Sequence, residues 1–226
     1  GIWETFTPIE PHLLPLVLQR LDHLSGADRR PATEMERFRH AVTKLILEGR
    51  PVKLYCGAGL APRSGFINLD RALLAPRFAL SNSEEYVIFP FVDWRWPIPD
   101  DCVDYIFHEG FIERISRHKQ IQFLAQARRV LKPGGWHRVI TPSRITALMP
   151  SSDFPRRFTG VYTGDGKSGP ISLLTPSTLR EIAELAGYSK IVFTGRNQGR
   201  SPYAEPDLPQ LAEGGPTNNI FVDLLK

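Results

Sequence analysis

Cysteine is scarce in this chain, with two residues in 226, and that scarcity sets aside two protein classes at once. Cys56 and Cys102 lie far apart and neither belongs to a paired-cysteine motif, so no disulfide framework and no zinc-type ligand set is expected. No cluster of histidines and carboxylates has metal-ligand spacing, so no metal is expected either. Long apolar runs are also missing: nothing approaches the ~18 residues of a membrane-spanning helix. Charge of one sign is not concentrated. The net charge is +4, and the basic residues cluster only as the pairs Arg29-Arg30, Arg128-Arg129 and Arg156-Arg157. Such pairs read as solvated surface, and a nucleic-acid partner would need a basic stripe. The first residues, Gly1-Ile2-Trp3-Glu4, show neither the basic start nor the apolar core of a secretion signal. The expectation is a cytoplasmic protein, or a piece of a larger one, with no membrane span.

What is present suits one globular domain. The hydrophobic share of 42% can fill a core, and 23% charged residues is ordinary for a soluble globule. Leu13, Leu14, Val17, Leu18 and Leu21 fall at helical spacing over residues 10–25, ending at Leu24-Ser25-Gly26. A second helix is expected over 33–48, with Thr33 as N-cap, Glu36 at capping-box spacing and Gly49 as the stop. Residues 1–50 thus read as an N-terminal helical extension and 51–226 as the main domain. From Pro51 short apolar segments alternate with helices, the rhythm of a parallel sheet with crossovers. Strands are expected at 52–56, 66–70, 86–90, 103–108 and 136–141, with a helix over 117–130 ended by Lys132-Pro133-Gly134-Gly135. A further helix opens at Thr175-Pro176-Ser177 and runs to Ala186. Ile191-Val192-Phe193 and Ile220 to Leu225 read as the last strands. Residues 144–175, rich in Pro, Gly, Ser and Thr, make a long loop of the length that usually has a function, such as a lid.

Two carboxylates and a glycine turn carry the chemistry. Val52 to Cys56 leads into Gly57-Ala58-Gly59, where a backbone without Cβ atoms can turn beside a ligand. The turn is not the dinucleotide fingerprint, because Pro62 stands where the third glycine belongs. Gly65-Phe66-Ile67-Asn68-Leu69-Asp70 then forms a strand ending in a carboxylate, suited to accept from both hydroxyls of a ribose; a solvated Asp is the alternative. Asp93 follows the next strand and can accept from an adenine amino group, with Trp94 or Trp96 as a flat surface. A loop cap and core tryptophans are the competing readings. Asp104 and His137 are read as structural.

Taken in order, Gly57-Ala58-Gly59, Gly65 to Asp70, Trp96-Pro97-Ile98-Pro99 and Leu131 to Gly135 resemble the class I S-adenosylmethionine (SAM) dependent methyltransferases. The likeness is to small bacterial members associated with polysaccharide or natural-product biosynthesis. It implies an α/β, Rossmann-like, seven-stranded and mostly parallel sheet with helices on both faces and the last strand antiparallel. It implies SAM as cofactor. Gly57, Ala58 and Gly59 would contact its methionine part, Asp70 the ribose and Asp93 the adenine, with Tyr55, Cys56, Arg71, Trp94 and His108 as further cofactor-binding residues. The acceptor side departs from the family, with His108-Glu109-Gly110 after the fourth strand and Glu113-Arg114 where relatives carry Glu-His.

The expected activity is methyl transfer to oxygen, or less readily nitrogen, of a small-molecule or saccharide acceptor. His108 and Glu109 are the candidate catalytic bases, with packing beside the cofactor as the alternative for His108. Asp153, Arg156 and Arg157 are candidate contacts to a polar acceptor. A non-catalytic partner or regulatory module with the same fold is the competing class. A homodimer, or fusion to a larger biosynthetic protein, is compatible with the chain.

Overall fold

The computed structural model describes residues 31–59, 62–70, 86–88, 91–92, 95–143, 172–207 and 219–226. Its elements are helix α1 (Pro31–Leu47), strands β1 (Lys53–Cys56), β2 (Ile67–Asp70), β3 (Tyr86–Ile88) and β4 (Val103–Glu109), and a 3-10 turn at Ile112–Arg114. Helix α2 (Arg117–Val130), β5 (Leu131–Pro142), α3 (Pro176–Leu185), β6 (Lys190–Phe193) and β7 (Asn219–Leu225) follow. The seven strands form one sheet in the order β3-β2-β1-β4-β5-β7-β6. Pairings among β1 to β5 are parallel, whereas β7 runs antiparallel to both β5 and β6. The strand order reverses between β1 and β4. In open α/β sheets the crevice beyond the carboxyl ends at such a reversal is where ligands bind.

Side chains alternate across the sheet, and its two faces differ in chemistry. One face carries Leu54, Cys56, Ile67, Leu69, Ile106, Val139, Val222 and Leu224, buried with Phe123, Leu124 and Ala127 of α2 and Leu179 and Ile182 of α3. Helix α1 adds Phe38 and Val42 to the same core, where Phe38 meets Trp96 edge-on with ring centroids 6.4 Å apart. The other face is aromatic: Tyr55, Phe66, Tyr86, Tyr105, Phe107 and Phe221 cluster around Ala58 and Ile140. Among the described residues no helix covers that second face. Arg63 lies over the Phe107 ring at 4.1 Å and Lys53 over Phe66 at 4.3 Å, so cations and loop segments supply the cover that is described.

Three local details differ from the expected boundaries. Helix α1 starts at Pro31, two residues before the expected cap at Thr33, because proline is tolerated in the first helical turn. Glu34 anchors the helix to the sheet by accepting from the Ile88 backbone N–H at 2.9 Å. After α2 the chain enters β5 directly at Leu131, and Lys132 to Gly135 bulge between the paired positions Val103/Leu131 and Tyr105/Trp136. Asp104 holds that bulge: one carboxylate oxygen accepts from Lys132 Nζ at 2.7 Å and the other from Val52 N–H at 2.9 Å. Its structural reading is thereby given a mechanism. Helix α3 begins as expected, with Thr175 Oγ1 accepting from Thr178 N–H at 3.2 Å and Gly187 at φ +88° just past its end.

Buried charge organises the edge formed by β5, β6 and β7. Arg138 is wholly buried and directly opposite Asp223 in the β5–β7 ladder. Its guanidinium donates to both oxygens of Asp207, at 2.8 Å each, and to Asp223 at 3.2 Å, Thr194 at 3.2 Å and the Gly195 carbonyl at 3.1 Å. Asp207 in turn accepts from Asn197 N–H at 2.6 Å, and Asp223 from Arg200 N–H at 3.0 Å. The chain after β6 is therefore strapped to the sheet by one arginine. Replacing Arg138 by Ala leaves two buried carboxylates without their cation and is expected to cost about 3–5 kcal/mol in urea-induced unfolding. A loss below about 1 kcal/mol would show that the network is not desolvated in solution.

Candidate functional site

The glycine turn and the first expected carboxylate meet where β1 and β2 end. Gly57 and Gly59 both take left-handed backbone angles, φ +72° and +53°, which explains glycine at each. Gly57 and Ala58 donate their N–H groups to the Leu69 carbonyl at 2.8 and 3.2 Å, folding the turn back over β2. Gly59 N–H donates to Asp70 Oδ2 at 2.8 Å. Asp70 is almost fully buried, at 5% exposure, where β2 ends. Among the described residues, a Cβ on Gly59 would meet nothing closer than the Gly57 carbonyl at 3.9 Å. At Gly57 a Cβ would strike the Phe111 ring at 2.8 Å, so there the glycine makes way for a side chain of the protein.

Two residues that sequence reasoning did not single out shape this corner. Tyr86 of β3 donates its hydroxyl to the Gly59 carbonyl at 3.1 Å, and burial, helped by the Asp70 carboxylate, pushes its phenol well above the ordinary range and keeps it a donor. Phe111 packs on Gly57 from the segment after β4. No periodicity or spacing marks either one, because each acts through a contact distant in sequence. Cys56 is buried on the helix-covered face, where burial raises its thiol well above the usual value and leaves it protonated. Tyr55 points to the aromatic face, 5.1 Å from Phe107 between ring centroids. Arg71, Asp93 and Trp94 lie outside the described residues, as do Asp153, Arg156 and Arg157 and most of the expected 144–175 loop. Trp96 is core: it is 1% exposed, donates Nε1–H to the Phe91 carbonyl at 2.7 Å and packs on Phe91 and Phe123.

His108 and Glu109 end β4 as expected, but their surroundings separate them. Glu109 is 8% exposed at the last position of the strand. His108 is fully buried beneath α2, between Phe111, Phe123 and His137. Its Nδ1 lies 2.9 Å from His137 Nε2, and His137 Nδ1 lies 2.7 Å from the Tyr188 hydroxyl. If Tyr188 donates to His137 and His137 to His108, only the His108 Nε2–H is left unpaired; the reverse order would also strand the Tyr188 hydroxyl hydrogen. Burial lowers His108 to about 3, and burial together with His108 drives His137 well below its ordinary value. A neutral, enclosed imidazole of that kind is a poor proton acceptor near pH 7, so a base at His108 does not fit its environment. The structural reading of His137 agrees with its place in the chain of three.

The seven-stranded, mostly parallel sheet with β7 antiparallel is a fold that this chain shares with a solved SAM-dependent methyltransferase. Among solved structures, a SAM-dependent methyltransferase from Archaeoglobus fulgidus superposes with a TM-score of 0.52 and 15% identity, covering 93% of this chain and 99% of that one. Phosphoethanolamine N-methyltransferase 2 of Haemonchus contortus, solved with SAM, reaches only 0.47 at 15% identity over 76% of this chain and 45% of its own, too loose to carry an argument. In sequence, 106 residues are 34% identical to a curated protein of Mycolicibacterium smegmatis named "Probable S-adenosylmethionine-dependent methyltransferase". That stretch is 44% of this chain and 36% of the relative, so the chain spans about a third of the relative's length. No family model matches. Among the described residues no helix is long and apolar enough to cross a membrane, and no group of three or more potential ligands is placed for a metal ion.

The two buried imidazoles set an acid limit on stability. Their folded values lie below the ordinary 6.5, so the stability they confer is whole above that value and is lost as pH falls through it towards 3. Glu113, raised to about 6, acts in the opposite sense between its ordinary 4.5 and 6. Urea midpoints measured from pH 7 down to pH 4 are expected to fall for the native chain and to fall less steeply in His108→Gln. Identical slopes would mean that His108 takes up a proton in the folded state.

Proposed function

We propose that this chain binds SAM and transfers its methyl group to a small-molecule acceptor. The observation that carries the reading is the 2.8 Å bond from Gly59 N–H to Asp70, which joins glycine turn and carboxylate into one cradle at the carboxyl ends of β1 and β2. The cradle suits the cofactor: Gly57 to Gly59 would run along its methionine part and Asp70 would accept from the ribose. Asp93 and Trp94 remain our candidates for the adenine, with Arg71 beside the ribose. SAM supplies an activated methyl on a sulfonium. The protein's task is then to hold the acceptor about 3 Å from that methyl and in line with it, which can be worth about 7–11 kcal/mol.

Oxygen of a small molecule or saccharide is our proposed acceptor atom, with nitrogen second. Glu109, at the end of β4, borders the crevice and supports a role in binding or proton removal, while His108 supports the strand end from beneath. Residues 51–226 would form the catalytic domain. Helix α1 belongs to its core through Phe38 and Val42, so the expected extension is in part integral to the fold. A regulatory module that has kept only the cofactor cradle is the competing reading, favoured by the poor fit of His108 as a base.

Calorimetric titration with S-adenosylhomocysteine, with NAD as control, tests the cofactor. We expect micromolar or tighter binding of the former alone, and no measurable binding to Asp70→Ala. Equal affinity of the native chain and Asp70→Ala would refute the ribose assignment. Binding without turnover across an acceptor panel would favour the module.

A further inference from the structure

Among the described residues, Glu113 is the one carboxylate with a fully buried oxygen that has no hydrogen-bond partner. Asp207 uses both oxygens on Arg138, and Asp223 uses both on Arg138 and the Arg200 N–H. Glu113 is 0% exposed; its Oε2 accepts from Thr141 Oγ1 at 3.0 Å, and its Oε1 has no hydrogen-bond partner. Arg114 Nε stands 3.8 Å from Oε1 but donates instead to the Gly110 carbonyl at 2.7 Å. A buried polar atom without a partner costs about 1–3 kcal/mol, and more when charged, so it calls for a reason.

Its location supplies one. The 3-10 turn Ile112–Arg114 leaves β4 at its carboxyl end, and Thr141 is the penultimate residue of β5. The Glu113 carbonyl accepts from Ser172 N–H at 3.0 Å, and buried Gln120 donates to the carbonyls of Ile112 at 2.9 Å and Ser172 at 3.1 Å. The 3-10 turn, the end of β5 and the segment at Ser172 thus meet around Glu113 near the carboxyl ends of β4 and β5, where Thr141 holds the carboxylate and Ser172 and Gln120 hold the backbone beside it. Its backbone and one oxygen are fixed, so the direction of Oε1 is fixed as well. An anchor to Thr141 needs only one acceptor oxygen, which glutamine would provide without a buried charge. Burial raises the carboxyl to about 6, against the opposing pull of its hydrogen bonds and Arg114, which brings its proton exchange close to neutral pH.

We infer that Glu113 is the acceptor-side carboxylate of this site, with Oε1 receiving the hydrogen of the hydroxyl or amino group that is methylated. The inference rests on the methyltransferase reading. The hydrogen leaves the acceptor's oxygen or nitrogen for Oε1, that atom's electron pair takes the methyl, and the sulfonium becomes a neutral thioether. One negative and one positive charge cancel. His108, enclosed and neutral, takes no part in this transfer.

Sinefungin tests the assignment without an identified acceptor, because it carries an amine-bearing carbon where SAM has its methylated sulfur. By calorimetry on the full chain near pH 7.5, Glu113→Gln is expected to lose about tenfold in sinefungin affinity while S-adenosylhomocysteine changes less than about twofold. Lowering the pH to about 5 should weaken sinefungin for the native chain and leave the Gln variant nearly unchanged. Thr141→Val keeps the carboxylate but removes its anchor, and should show a partial loss even if Glu113→Gln folds poorly. A sinefungin preference that is the same in native and variant chains overturns the role of Glu113 and leaves the cofactor reading standing. Failure of the native chain to bind S-adenosylhomocysteine removes both. A panel of primary amines and polyols, with products read by mass spectrometry, then separates nitrogen from oxygen acceptors. Undiminished methylation by Glu113→Gln would also overturn the proposal.

Discussion

A guanidinium buried in the sheet obliges the rest of the chain to bring negative charge to it. Arg138 is 0% exposed, and the cost of taking a cation out of water is recovered only if every donor is met. Asp223 meets it from the neighbouring strand, but Asp207 can do so only if the chain after β6 folds back across the sheet. That path brings Glu205 to Lys53 at 2.8 Å and the Pro206 carbonyl to Arg63 at 2.8 Å. Lys53 and Arg63 are the cations lying on the aromatic face. One charge on β5 therefore influences how the face behind β1 is closed, and β1 is the strand that presents the glycine turn.

The two faces of the sheet divide the labour. The helix-covered face is largely aliphatic, and it contains the His108–His137–Tyr188 chain, three polar groups bonded in series away from water with only the outer His108 nitrogen unpaired. The aromatic face is held by cations and loop carbonyls. Between them the carboxyl edge carries three acidic groups with different treatment: Asp70 bound to the turn, Glu109 at the strand end, and Glu113 buried with an oxygen to spare. Such a gradation, from structural ligand to poised acceptor, is set by burial and by which oxygens the fold has already used.

Much of this was legible in the sequence, for physical reasons that can be named. Apolar segments bounded by glycine and proline located β1, β2 and β4 within a residue or two, because buried parallel strands are short, continuous apolar runs. Gly57, Gly59 and Asp70 were legible because backbone geometry and a strand-end carboxylate leave local marks. The tautomer chain through His108 was not legible, since a strand position alone does not say which face lies beneath a helix. Trp96 was open between ligand surface and core, and the rings of Phe38, Phe91 and Phe123 around it decide for the core. Glu113 was visible only as the residue before Arg114, where the chain departs from the family, and not as an unpaired oxygen, which depends on Thr141 arriving from elsewhere in the chain.

The bulge between Leu131 and Trp136 has a practical meaning. It sits at the amino end of β4, across the sheet from the crevice, and its hold on the body of the fold passes through Asp104. A Cβ added at Gly134 meets nothing within 4 Å, although the left-handed backbone there, at φ +80°, still favours glycine. Extra residues inserted between Gly134 and Gly135 would lie at the opposite end of the sheet from the glycine turn. This is the place where a reporter or a fused domain can be spliced into the chain without crowding the ligand cradle.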